Sequence, residues 1–255
     1  MDHEKTTTAS TVTCSCVTAI RETARNRFIG PMNDHRIFKA NLYEQFAIIG
    51  KALASPARLE LLDLLGQAER SVEDLAGEAN LSIANASQHL QVLRQAWLVE
   101  VRREGKFSYY RLAGKEAFQI WQSIRDFAAV KVAEVQRLSE QYLHRRDELE
   151  ALSIAELRRR LATGDVVLID VRPEAEYRAG HISGALSAPV EKLATMLRTL
   201  PHDKEIVAYC RGPFCLFSHE AVLKLKKKGF EARRLKLGLP DWRFAGLPVD
   251  TDLPE

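Results

Sequence analysis

The chain has 255 residues, 28% charged and 46% hydrophobic, with a formal net charge of +3. This is the composition of a soluble globular chain with room for one large domain or two ordinary ones, and it excludes a disordered one. No apolar run reaches the roughly 18 residues of a membrane span, four cysteines make no disulfide scaffold, and so small a net charge leaves a polyanionic partner to be decided by where the charges lie.

Residues 1–31 are rich in Thr and Ser, lack periodic apolar positions and end in Gly30-Pro31. They read as a disordered tail without a secretory signal. Met32 is an alternative start, which would leave Cys14 and Cys16 outside the native chain. Phe38, Leu42, Phe46, Ile49 and Leu53 then fall at helical spacing. Ser55-Pro56 predicts a capped start for a second helix through Leu59, Leu61, Leu62, Leu64 and Leu65, ended by Gly66. Ser71 caps a short third helix and Ser82 a fourth, whose buried face reads as Ile83, Ala86, Leu90 and Leu93. Alternation over 98–103 and 106–112, around Glu104-Gly105, predicts a hairpin. One long helix is expected from about 115 to about 150. Trp121, Ala128, Val135 and Tyr142 recur there every seven residues, with Ile124 and Leu138 between them, as a seam for another helix such as one of a second subunit.

The pattern changes near 148–152. A helix over 154–161, an apolar strand over 166–169, a second over 205–209 and a helix over 221–228 predict a small α/β domain with a parallel sheet. The expected fold is therefore two domains: a mainly α winged helix-turn-helix over 32–150 and an α/β domain over 151–255.

In a helix-turn-helix the second helix enters the major groove. Its early residues here are Ser82, Asn85, Ser87, Gln88 and His89; Asn and Gln can bond adenine bidentately, and Ser reads several bases. The hairpin is basic at its tip through Arg102, Arg103 and Lys106, which suits phosphate or minor-groove contact. The expected partner is a double-stranded DNA operator. Three stretches carry a resemblance: Ala52-Leu-Ala-Ser-Pro-Ala-Arg-Leu-Glu-Leu-Leu, Leu81-Ser-Ile-Ala-Asn-Ala-Ser-Gln-His-Leu-Gln-Val-Leu-Arg and Val99-Glu-Val-Arg-Arg-Glu-Gly-Lys-Phe-Ser-Tyr-Tyr-Arg-Leu. In this order they resemble the ArsR family of dimeric bacterial repressors, over roughly residues 38–130. The resemblance implies a homodimer joined through the first and last helices. The family's sensors are missing. Ser71-Val-Glu-Asp-Leu-Ala-Gly-Glu has no cysteine pair, Glu134, Glu140 and His144 have the wrong spacing for zinc, and the repressor core has no cysteine at all. His89 reads as a base or phosphate contact, and Cys14-Ser15-Cys16 as too few ligands for a metal. No metal and no organic cofactor is expected.

Tyr209-Cys210-Arg211-Gly212-Pro213-Phe214-Cys215 follows an apolar strand and precedes a helix. Cys210 is thus expected at the carboxyl end of a parallel strand, where α/β sites lie. A loop of inward N–H groups at a helix start would stabilise a thiolate and an oxyanion, and Arg211 adds a cation. A buried structural cysteine remains the alternative. Leu168-Ile-Asp-Val-Arg-Pro-Glu-Ala-Glu-Tyr-Arg-Ala-Gly-His-Ile-Ser-Gly-Ala, Gly229-Phe230 and Gly238-Leu-Pro-Asp-Trp242 resemble the rhodanese domains, over about 152–250. That resemblance implies a sulfurtransferase fold with Cys210 as the persulfide-forming nucleophile and with Asp170, Arg172 and His181 in structural roles beside the loop. It also implies a small sulfur-containing anion, thiosulfate or polysulfide, as donor and a thiol as acceptor. The loop departs from the family pattern Cys-x-x-Gly-x-Arg-Ser: Gly212 comes one position early and Cys215 stands where the Arg would fall. Cys215 is either a resolving thiol or a small hydrophobe at a helix start.

The expected function is DNA-binding transcriptional regulation in the cytoplasm, with a rhodanese domain that transfers or senses sulfane sulfur. The alternatives are a sulfurtransferase with an autoregulatory DNA domain and a non-catalytic ligand-sensing rhodanese module.

Overall fold

The computed structural model describes residues 31–143 and 151–252. Cys14, Cys16 and His144 lie outside them. The chain divides after Ile48 into two compact units. Of the first unit, the described part belongs to helix α1 (Pro31–Leu53), on which Ile37, Phe38, Leu42, Tyr43 and Phe46 are exposed.

The second unit begins with the helix-turn-helix. Helix α2 (Pro56–Gln67) starts at Pro56 as its sequence predicts, although Ser55 makes no side-chain cap bond. Strand β1 (Arg70–Ser71) leads into α3 (Val72–Glu78), where the Ser71 hydroxyl accepts from the Asp74 amide at 3.1 Å. Asn80, at a φ of 51°, turns the chain into α4 (Ile83–Gln95), capped by Ser82 on the Asn85 amide. Leu61, Leu62, Leu75, Ala86, Leu90 and Leu93 close the core. Strands β2 (Val99–Glu104) and β3 (Phe107–Leu112) form the wing, with β1 on the far side of β3.

The single long helix expected after the wing is two helices. Helix α5 (Lys115–Lys131) stops at Val132, whose φ of −97° and ψ of 102° are extended, and α6 (Ala133–Tyr142) starts beyond it. The seven-residue spacing persists across the break because the apolar positions serve more than one surface. Val135 is half-buried, whereas Leu138 and Tyr142 are exposed.

After β4 (Ala151–Leu152) and α7 (Ile154–Thr163) come β5 (Val166–Asp170), α8 (Glu174–Ala179), β6 (His181–Ile182), β7 (Leu186–Ser187) and α9 (Leu193–Met196). The chain ends through β8 (Glu205–Tyr209), α10 (Leu216–Lys227), β9 (Ala232–Leu235), α11 (Leu239–Phe244) and β10 (Val249–Asp250). Five parallel strands form one sheet in the order β4-β9-β8-β5-β7. The alternation of a strand assigns its two faces. Ile206, Ala208 and Cys210 pack with Val222 and Leu225 of α10, while Val207 and Tyr209 pack with Leu157 of α7 and Trp242 of α11. Helix α10 begins at Leu216, earlier than the expected 221, so the cysteine loop runs directly into it.

Candidate functional site

Two regions carry the residues singled out from sequence. On α4, Ser82, Asn85 and Gln88 are exposed, and Ser87 and His89 are half-buried. The Ser82 oxygen is already occupied as a cap on the Asn85 amide. Ile83, expected on the buried face, is 55% exposed: it shares the helical face of Ala86, Leu90 and Leu93 but stands at the very first position of the helix, where the core does not cover it. It therefore joins the polar residues as a group able to touch a base, such as a thymine methyl. Trp97, at a φ of 53° in the turn before the wing, is also exposed and was not singled out by periodicity. On the wing, Arg102 donates to Glu69 and Glu104 at 2.6 Å each and lies over the Tyr109 ring. Arg103 and Lys106 are exposed, and no carboxylate among the described residues lies within ion-pair distance of either.

The second region is the loop between β8 and α10. Cys210 and Cys215 are joined in a disulfide, with Cα atoms 6.3 Å apart. Cys210 is 1% exposed and sits in the core on one face of the sheet, whereas Cys215 is half-buried. Loop amides are not all turned inward. The Cys215 amide donates to the Gly212 carbonyl at 3.2 Å, and the Cys210 carbonyl accepts from the Leu239 amide at 3.2 Å. Gly238 presses directly on the loop: a Cβ there would lie 2.3 Å from the Arg211 carbonyl oxygen and 2.5 Å from the Gly212 nitrogen. Only glycine permits that approach.

Beside the loop, Arg172 and Asp170 are both fully buried. The guanidinium donates to Asp170 through Nε at 3.0 Å and Nη2 at 2.6 Å, and to the Gly180 carbonyl at 2.7 Å. Burial opposes the Arg172 charge, and Asp170 outweighs it, so the guanidinium is held protonated more firmly than usual. Burial and the Asp170 charge push the Tyr209 phenol well above its ordinary range. His181 is buried, stacks on Tyr177 at 3.8 Å and places Nδ1 3.0 Å from the Tyr177 carbonyl oxygen.

Arg211 does not point into an open anion cradle. Its Nε and Nη2 bind Glu176, and Nη2 also reaches Glu78, the last residue of α3, at 3.1 Å. Burial works against its charge, and the Glu176 and Glu78 carboxylates outweigh that cost. Glu176 also takes Arg70 of β1 at 2.8 Å. The Gln67 amide donates to the Arg211 carbonyl at 3.1 Å. On α5, Arg125 and Gln122 both donate to Asp241 at 2.8 Å, and Asp241 in turn accepts from the Gly238 amide at 3.0 Å. Phe118 stacks on Phe244 at 4.5 Å. The cysteine loop is thus bonded at Arg211 to Gln67 of α2 and Glu78 of α3, while Glu176 of α8 and Asp241 of α11 beside it are held by Arg70, Gln122 and Arg125. Sequence reasoning missed Gln67, Arg70, Glu78, Gln122, Arg125, Glu176 and Asp241, because each is an ordinary surface-type residue until a second element covers it. Among the described residues no cluster could hold a metal ion, and no helix is long and apolar enough to cross a membrane.

Residues 53–102 match the helix-turn-helix domain family and residues 153–245 match the rhodanese-like domain family. The chain is 44% identical over 220 residues to the HTH-type transcriptional regulator Rv0324 of Mycobacterium tuberculosis, which covers 85% of this chain and 95% of that one. It is 35% identical over 105 residues to a sulfurtransferase of Allochromatium vinosum, covering 40% of this chain and 94% of that one. A solved structure from Mycobacterium bovis, described as a homodimeric winged helix-turn-helix DNA-binding domain, is 42% identical, covers 37% of this chain and 87% of that one, and has a TM-score of 0.36. The chain belongs to the ArsR-type HTH transcriptional regulators, as a member in which a rhodanese-like domain follows the helix-turn-helix domain.

Proposed function

We propose that this regulator binds a double-stranded DNA operator in the cytoplasm as a homodimer, and that its affinity responds to reactive sulfur through Cys210 and Cys215. The working parts are a winged-helix domain over 32–150 and a rhodanese-like domain over 151–255. Dimerisation is supported by the exposed apolar residues of α1, by Phe127 and Val130 of α5, and by Leu138 and Tyr142 of α6. Base contacts fall to Asn85, Gln88 and Ile83, and phosphate contacts to Arg103 and Lys106.

One observation carries the sensing role: Arg211, inside the Cys210–Cys215 loop, is held by Glu78 at the end of the first helix of the helix-turn-helix. A sulfane-sulfur compound hands sulfur to one thiolate, the second thiolate attacks the persulfide, the disulfide closes and sulfide leaves. The loop then has two covalent states, and the Arg211–Glu78 and Arg211–Gln67 bonds favour them unequally. The signal must distinguish two states to act on DNA, and linked sites of this kind differ by about 1–3 kcal/mol, or roughly 5–150-fold in affinity.

The test is operator affinity at fixed salt for the full chain, fully reduced and with the Cys210–Cys215 pair fully oxidised. A shift of several-fold, absent in Cys210→Ser, is expected; equal affinities would overturn the sensing role. The sulfurtransferase relative favours a second reading, in which the persulfide is passed on to a thiol acceptor in steady turnover. Sustained transfer to added thiol, with no effect on DNA, would select it.

A further inference from the structure

A cavity of about 690 Å3 lies between α2, α5 and the cysteine loop, walled mainly by Leu59, Trp121, Ile124, Phe214 and Cys215. Ala128 and Val135, expected like Trp121 and Ile124 on a seam for another helix, also face it. Its size suits a small organic molecule, and its walls are largely apolar. Cys215 forms part of the wall, while Cys210 lies behind it in the sheet core.

The charges around the cavity are unevenly compensated. Arg125 is taken by Asp241 and Asp126, and Arg211 by Glu176 and Glu78. Asp63, also in the wall, accepts from Trp121 Nε1 at 3.3 Å, and among the described residues no cation lies within ion-pair distance of it. Glu60 adds a second carboxylate at the margin. An entering anion would shed water, meet carboxylates and find both guanidinium groups occupied. A neutral apolar molecule would meet none of these costs.

We propose that this cavity admits neutral, apolar organic sulfane-sulfur compounds of the dialkyl trisulfide class, and that Cys215, not Cys210, is the thiol that meets them. The inference rests on the reading that this cysteine pair responds to reactive sulfur, and it names the donor. The Cys215 thiolate attacks a terminal sulfur of R–S–S–S–R, forming Cys215–S–S–R and expelling R–S–S⁻. The Cys210 thiolate then attacks Cys215 Sγ, the protein disulfide forms and R–S⁻ leaves. Two thiols are oxidised, one trisulfide is reduced to a persulfide and a thiol, and the two thiol protons end on those products.

The test uses the reduced full chain with Cys14 and Cys16 replaced by serine. Diallyl trisulfide, sodium thiosulfate and sodium tetrasulfide are compared by the rate of thiol loss and by intact mass, each rate divided by that donor's rate with free cysteine. The trisulfide is expected to exceed both anions by at least about tenfold, the ratio that about 1.4 kcal/mol of unfavourable charge contact gives. Asp63→Asn should narrow that gap. Cys210→Ser should retain the allylthio group on Cys215, and Cys215→Ser should react with the trisulfide at least about tenfold more slowly than Cys210→Ser. Equal normalised rates for the three donors, or equal rates for the two cysteine variants, would overturn the proposal; if Asp63→Asn does not fold, the cysteine variants decide alone. If the donors behave as stated and DNA affinity does not change, the donor assignment stands and the sensing role fails. If DNA affinity changes while anions react as readily as the trisulfide, the reverse holds.

Discussion

The arginines of the wing and those around the cysteine loop meet the same kind of partner in opposite surroundings. Arg102 reaches Glu69 and Glu104 with its side chain 53% exposed, while Arg125 reaches Asp241 with the two side chains 6% and 1% exposed. In water an exposed pair adds about 0–1 kcal/mol, because solvent screens the attraction and two long side chains must be ordered. A buried pair contributes little beyond a well-packed apolar contact, but removing one partner leaves the other charged and dry. The wing can therefore exchange its partners for phosphate, and the buried set cannot be altered without disturbing the packing around it. Residues that read alike in sequence thus divide into an exposed set, proposed to meet DNA, and an internal junction.

The largest expected effect is at the junction. Asp241→Ala takes from Arg125 its buried partner, leaves it only the exposed Asp126, and removes the acceptor for Gln122 and the Gly238 amide, so unfolding free energy should fall by about 3 kcal/mol. Denaturant titration checks this, and a loss under about 1 kcal/mol would mean that water reaches the pair after all.

Gly238→Ala tests the backbone contact behind it. The added methyl must push Arg211 and Gly212 aside, with an expected loss of about 1–3 kcal/mol. Formation of the Cys210–Cys215 disulfide from the reduced chain should change in rate as well, and an unchanged rate would show that the loop absorbs the displacement elsewhere.

A smaller effect, distinguished by its pH dependence, is expected at Asp63. Burial raises its carboxyl above the ordinary 3.8, and the Trp121 hydrogen bond and the Arg125 and Arg211 charges only partly offset this, with Asp241 adding to the rise. The folded state thus holds that proton more tightly than the unfolded chain. Its stabilising effect is complete below 3.8 and is lost as pH rises through the raised value. Asp63→Asn should therefore gain stability relative to the wild type as pH rises from 3.8, then hold a constant advantage. Denaturation at a series of pH values checks the sign; a gap that closes with rising pH would reverse the assignment.

The smallest effect on stability belongs to the wing. Arg103→Ala and Lys106→Ala should each change unfolding by no more than about 0.5 kcal/mol. Each should nevertheless lower the log–log salt slope of DNA binding by about one. An unchanged slope would remove the wing from the interface and collapse the comparison.

Much of this molecule is determined by sequence alone because the signals are local. Ser71 and Ser82 cap the helices they precede, the alternation after Ala96 makes the wing, and the apolar run at 166–169 makes a strand, since each depends on a few neighbours along the chain. The order of the two domain families was legible for the same reason, from short contiguous motifs. The break at Val132 was not, because the same apolar spacing suits one helix packed on a partner and two helices folded around a cavity. Nor was the exposure of Ile83, since helical spacing puts it on one face with Ala86, Leu90 and Leu93 and only tertiary packing decides how far along that face the core reaches. The junction itself was decided wholly by tertiary structure. Glu78 and Arg211 are separated by 133 residues, Arg125 and Asp241 by 116, and nothing near any of them in sequence marks a partner. Their pairing appears only when folding brings them together, and for Arg125 and Asp241 it also removes the water between them, which turns an ordinary surface charge into one that must be matched.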